Sequence, residues 1–130
     1  MARVFVDTSA IYALLDRDDA HHRKARGTLQ RLGKQHAEPV LTNFVRAESH
    51  ALLLNRLGSD VARRWLTENV WPIERVTPDD EIAAVEIVRA QVDKGYSLTD
   101  ATSFAVMQRL KISVAFAFDR HFAQFGFETA

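Results

Sequence analysis

Four acidic side chains, Asp7, Glu48, Asp100 and Asp119, stand where an apolar run ends or a helix opens. Carboxylates gathered without a basic partner repel one another, so such a cluster persists mainly where a divalent cation neutralises it. The set contains no histidine or cysteine, and hard oxygen ligands select Mg²⁺ or Mn²⁺ over Zn²⁺ or Cu²⁺. Ions of that kind orient phosphates and activate water for in-line displacement. Competing chemistries lack their residues. The chain has no cysteine and no G-x-x-x-x-G-K-[ST], G-x-G-x-x-G, G-x-S-x-G or H-E-x-x-H. A phosphatase with an aspartate nucleophile also places Asp after its first strand. It usually carries a second Asp two residues later, where this chain has Ser9.

The elements that must position the four acids follow from short apolar or β-branched runs alternating with helical periodicity. Strands are expected at Arg3 to Val6, Val40 to Thr42, Ile73 to Val76, Ser113 to Phe118, and weakly near Phe127 to Thr129. Helices are expected at Ser9 to Leu15, His21 to Leu32, Phe44 to Leu57, Ser59 to Asn69, Pro78 to Val92 and Leu98 to Leu110, with a short one at Arg120 to Phe125. The third has an expected inward stripe of Phe44, Ala47, Ala51 and Leu52, with Glu48 on it; the fifth has Ile82, Val85, Val88 and Val92. Strands joined by helical crossovers indicate an α/β fold, with four or five parallel strands between helices on both faces. Residues 1–130 read as one domain, with no repeat or long linker.

In that arrangement Asp7 and Asp119 close strands at their carboxyl ends. The helix bearing Asp100 feeds the next strand through a very short link, so its first turn lies at the same edge. Glu48 follows the second strand by about a turn and a half. Open α/β sheets bind ligands at this edge. Each acid also has a structural reading. Asp7 caps a helix starting at Thr8, Glu48 is a solvated helix residue, Asp100 completes a capping box with Ser97, and Asp119 caps the short segment after it. Taken together, the structural readings leave the shared edge unexplained.

Composition narrows the class further. A chain of 130 residues with 47% apolar and 26% charged side chains is ordinary for one soluble globular domain. Seventeen basic and seventeen acidic residues balance, which argues against a nucleic-acid coat protein but allows a basic rim around an acidic pocket. The apolar N-terminal run is cut by Asp7, and nothing approaches a signal peptide or a membrane span, so a cytoplasmic protein is expected.

Four segments carry a family resemblance. They are Val6-Asp7-Thr8-Ser9-Ala10, Thr42-Asn43-Phe44-Val45-Arg46-Ala47-Glu48, Ser97-Leu98-Thr99-Asp100-Ala101 and Phe118-Asp119-Arg120-His121-Phe122. In this order and spacing, from Val4 to Phe127, the chain resembles the PIN-domain ribonucleases, specifically the VapC toxins of toxin–antitoxin pairs. The resemblance implies a PIN-like three-layer sandwich and a Mg²⁺- or Mn²⁺-dependent endoribonuclease acting on single-stranded RNA. It also implies a homodimer and a cognate antitoxin protein encoded nearby. Asp7, Glu48 and Asp100 carry over as metal ligands, with Asp119 binding a metal or positioning water, and Thr8 matches the hydroxyl after the first acid. Many relatives have Thr or Ser two residues before the fourth acid, where this chain has Ala117. The alternative is a catalytically inactive PIN-fold module that binds RNA or protein.

Other features have weaker claims. Arg23, Lys24, Arg26, Arg31 and Lys34 lie in a stretch without acids, which suits RNA phosphates or simply a solvated basic face. His21 and His22 read as surface helix residues. His121, two positions after Asp119, is close enough in sequence to face the pocket.

Overall fold

The computed structural model describes residues 2–130. Five strands, β1 (Arg3–Val6), β2 (Glu38–Thr42), β3 (Ile73–Glu74), β4 (Val114–Phe116) and β5 (Glu128–Thr129), form one parallel sheet in the order β3-β2-β1-β4-β5. Between them run α1 (Thr8–Leu15), α2 (His22–Lys34), α3 (Asn43–Leu57), α4 (Ser59–Glu68), α5 (Pro78–Ala90), α6 (Leu98–Leu110) and α7 (His121–Phe125). This is the α/β sandwich expected from the alternating pattern. Among the described residues, no helix is long and apolar enough to cross a membrane.

Alternation along β1 divides the core between the two faces. Phe5 turns to one side, where its ring lies 6.1 Å from Phe122 of α7. Phe122 and Phe125 both pack on Phe104 of α6, at 5.1 and 4.4 Å. Val4 and Val6 turn to the other side and share a cavity wall with Leu29 and Leu32 of α2. Phe5, Phe104, Phe116 and Phe122 are fully buried, each contributing about 1.5–3 kcal/mol of transfer free energy.

Two strands are shorter than their apolar runs, for a reason that bears on function. Val76 N–H donates to Asn43 Oδ1 at 2.8 Å, and Phe118 N–H donates to Ser9 Oγ at 2.9 Å. At the carboxyl edge, side chains from the first turns of α3 and α1 replace the sheet's own ladder. Asp119 therefore stands three residues beyond β4 rather than directly after it.

Two expected helix stripes are out of phase. The buried line of α3 is Val45, Ser49 and Leu53, not Phe44, Ala47, Ala51 and Leu52. Glu48 borders that line, one turn after Val45, which sets its carboxyl at the sheet's edge instead of under it. On α5 the buried residues are Asp80 and Ala84, whereas Ile82 and Val85 are 70% and 57% exposed, as is Val92 just beyond the helix at 81%. An ion pair decides this. Arg109 of α6 draws Asp80 inward with contacts of 2.9–3.2 Å, which rotates the apolar stripe out to solvent.

Candidate active site

The connections out of β1 lead to β2, and those out of β4 lead to β5 on the opposite side, so the chain reverses direction between β1 and β4. A crevice opens at such a point in doubly wound sheets. Here Asp7 N–H donates to Phe116 O at 3.0 Å, tying the two strand ends together under the crevice. The pocket above is lined by Asp7, Thr8, Ser9, Glu48, Leu52, Gly95, Ser97, Asp100, Asp119 and His121. All four acids expected from the sequence meet there, and among the described residues no Lys or Arg lines it.

Each acid is held by local structure. Asp7 is the N-cap of α1, and its Oδ2 accepts from Ser9 N at 3.1 Å and Ser9 Oγ at 2.7 Å. It is only 4% exposed, and burial, with smaller contributions from the charges of Asp100 and Glu48, pushes its pKa up from 3.8 to about 6. Glu48 is raised too, first by partial burial of its carboxyl and then by the charges of Asp100 and Asp119. The neighbouring Thr8 hydroxyl opposes that rise, and itself accepts from Ser49 Oγ at 3.0 Å. Asp7 thus feels Asp100 and Glu48, and Glu48 feels Asp100 and Asp119, so the four carboxylates form one electrostatic unit.

Asp100 completes the capping box of α6. Its N–H donates to Ser97 Oγ at 3.0 Å, and its Oδ2 accepts from Ser97 N at 3.3 Å. The helix ends at Lys111, whose left-handed backbone (φ 58°) closes it with Ile112 N–H donating to Met107 O at 2.9 Å. That tight turn leads into β4 at the sheet's amino edge. A 13-residue helix spans about 20 Å, which carries Asp100 to the carboxyl edge. Ahead of Ser97, Gly95 takes φ 67°, a conformation that side chains resist, and turns the chain back over the pocket. The structural reading of Asp7 and Asp100 as caps and their reading as site residues hold at once, because each cap leaves one carboxylate oxygen free of the cap's bonds.

The structure adds His121 to the acids. Its Nδ1 donates to Asp100 Oδ2 at 2.8 Å and lies 3.4 Å from Asp119 Oδ1, while Asp119 Oδ1 accepts from His121 N at 2.9 Å. Tyr96 supports the imidazole edge-on, with centroids 5.2 Å apart at 83°. An imidazole thus stands beside the expected all-oxygen set, and Asp100, Asp119 and His121 each bring one possible ligand atom to within 4.8 Å of the others. Proximity in sequence to Asp119 was the only signal of this, because an imidazole reaches the pocket only once α7 has turned.

The buried Asp7 and Asp100, the half-buried Asp119 and the exposed Glu48 face one crevice with a single imidazole among them, a set that fits a hard divalent cation. A parallel α/β sheet with such a pocket at its switch point is suited to metal-assisted attack on phosphate esters. The comparisons agree. The model of the PIN domain matches residues 4–128. The chain is 39% identical over 128 residues, 95% of both chains, to the 23S rRNA-specific endonuclease VapC20 of Mycobacterium tuberculosis, in strain CDC 1551 / Oshkosh and in strain ATCC 25618 / H37Rv. The crystal structure of M. tuberculosis VapC20, described as a sarcin-ricin loop cleaving toxin, superposes with a TM-score of 0.83 at 36% identity, covering 95% of each chain. The chain belongs to the PIN-domain family, and within it to the endoribonuclease toxins of the VapC type.

Proposed function

We propose that this endoribonuclease hydrolyses the sarcin–ricin loop of 23S rRNA, with Asp7, Glu48, Asp100 and Asp119 as the ligands of Mg²⁺ or Mn²⁺. The supporting observation is the buried Asp7 carboxyl, raised to about 6 and facing three other carboxylates with no Lys or Arg to compensate it. The target rests on the 39% identity to a relative named for cutting 23S rRNA. A divalent cation bound there supplies Lewis acidity, polarising the scissile phosphate and lowering the pKa of water. The protein's part is placement. Ser9 and Ser97 clamp Asp7 and Asp100 through their caps, and Thr8 steadies Glu48. Asp119, at the pocket's rim, orients the attacking water or shares a second ion. His121 holds Asp100 and Asp119 in register.

Because water rather than the ribose 2′-hydroxyl attacks, the products carry a 5′-phosphate and a 3′-hydroxyl. End-group analysis of the cleaved RNA, with and without EDTA, tests this; a 2′,3′-cyclic phosphate, or cleavage that survives EDTA, overturns it. The nuclease domain occupies residues 1–130 and works in the cytoplasm. A cognate antitoxin silences it by reaching an Arg or Lys into the carboxylates. A homodimer forms over the exposed Ile82 and Val85 of α5 and Val92 just after it, a patch that a solitary chain would leave wet. Light scattering of Val85→Glu, expected to be monomeric where wild type is dimeric, tests that surface.

A further inference from the structure

We propose that His21, stacked on Phe118, is a platform for a nucleobase flanking the bond to be cut; this rests on the ribonuclease reading above. The two ring planes are nearly parallel, at 10° with centroids 4.6 Å apart. His21 is exposed, so with one face on Phe118 its other face is open to solvent. Phe118 immediately precedes Asp119, about 3.8 Å from it along the backbone. The Phe118 N–H is bonded to Ser9 Oγ, and Ser9 Oγ to Asp7 Oδ2. The platform is thus joined by consecutive bonds to two carboxylates of the pocket.

The stack is held in place from both sides. Phe118 rests against Phe116 with centroids 6.1 Å apart, and Phe116 is 1% exposed. His21 N–H donates to Asp19 Oδ2 at 3.0 Å, and His22 Nδ1 bonds to Ala13 O at 2.7 Å. These contacts fix the entry to α2, so the imidazole orders little on receiving a base. Single-stranded or splayed RNA is gripped by stacking on such rings, which is worth about 1–3 kcal/mol per base and tolerates any base. Electrostatics supports the same occupant. Arg23 and Lys24 follow in the first turn of α2, exposed and outside every ion pair among the described residues, ready for the phosphates on either side of the stacked base.

The test uses a hairpin RNA carrying the sarcin–ricin loop. His21→Ala raises KM about tenfold while kcat changes little, and His21→Phe restores KM, because a phenyl ring stacks and an alanine does not. Replacing the flanking base by an abasic site costs wild type the same factor and costs His21→Ala nothing further. A readout independent of cleavage comes from Asp100→Asn mixed with single-stranded RNA bearing 2-aminopurine. Its fluorescence is quenched with His21 present and unquenched with Ala at 21. If KM and quenching are the same with Ala as with His, the platform is wrong. If wild type with Mn²⁺ leaves the hairpin whole, the proposed target is wrong, and the quenching experiment still decides the platform.

Discussion

Two neighbouring helices of this protein open with the same device and put it to different ends. At α5, Thr77 and Asp80 form a capping box; at α6, Ser97 and Asp100 form another. The internal bonds are alike, at 2.9 and 3.1 Å in the first and 3.3 and 3.0 Å in the second. Both carboxylates are nearly buried, at 4% and 9% exposure. What differs is the partner. Arg109 grips Asp80 with both Nε and Nη2, and its Nη2 also reaches Glu74. Burial alone would raise Asp80, but the Arg109 and Thr77 bonds outweigh it and hold the carboxyl below its ordinary range. Asp100 meets only an imidazole and looks out on three further carboxylates. A closed charge stabilises the fold, whereas an open one is available to a ligand.

Substitutions at the two boxes should therefore separate function from stability. Asp100→Ala should reduce RNA cleavage by at least about 100-fold, since removing even the supporting partner of a metal ligand costs 10–100-fold. Gel assays at saturating Mn²⁺ measure this, and comparable activity would take Asp100 out of the site. Asp80→Ala should do the reverse. It removes a cap and leaves Arg109 half-paired, lowering stability by about 2 kcal/mol, or roughly 6–10 °C in Tm, with the cleavage rate per folded molecule unchanged. A calorimetric scan beside a rate measurement checks both halves.

His121→Ala should weaken Mn²⁺ binding about tenfold by isothermal titration, as loss of an orienting neighbour does. Undiminished affinity would confine His121 to α7 packing. The smallest effect is in pH. Folding raises the Asp7 pKa from 3.8 to about 6, so between those values the folded state binds more protons than the unfolded state, and the metal-free protein becomes less stable as pH rises. Between pH 5 and pH 7 the loss is about 1 kcal/mol, and Asp7→Asn should flatten it while keeping the cap, because Asn caps as well as Asp. Asp80, with its lowered pKa, adds the opposite slope, but only in more acidic solution. A metal-free wild type whose Tm rises from pH 5 to pH 7 would contradict the Asp7 assignment.

The positions of Asp7, Asp100 and the strands were legible because strand-ending acids and capping boxes are local signals. The bounds of α6 were readable to the residue, since Ser97 opens it and the helical pattern runs unbroken to Leu110. The phases of α3 and α5 were not. Their apolar residues occur on more than one face, and what rotates α5 is a contact between Asp80 and Arg109, 29 positions apart. His121 could be brought near the pocket by its closeness to Asp119, but its partner could not be read. Nothing in Asp-Arg-His-Phe says that the imidazole returns to a carboxylate 21 residues upstream. The departure at Ala117 has a structural counterpart. The position is 6% exposed and carries no hydroxyl, and Asp119 is held instead by the backbone N–H of His121.

The interleaving of the pocket along the chain has a consequence for the cell that makes it. Residues 7, 48, 100 and 119 are drawn from nearly the full length of the polypeptide, and β5 adds to the sheet only after the last of them. No partial translation product that stops before Asp119 carries the complete set of acids. On the proposed assignment of these acids, a ribosome synthesising this chain holds no complete site until the final stretch has emerged. Activation is then abrupt and late, which gives an inhibitor made beforehand the time to be waiting.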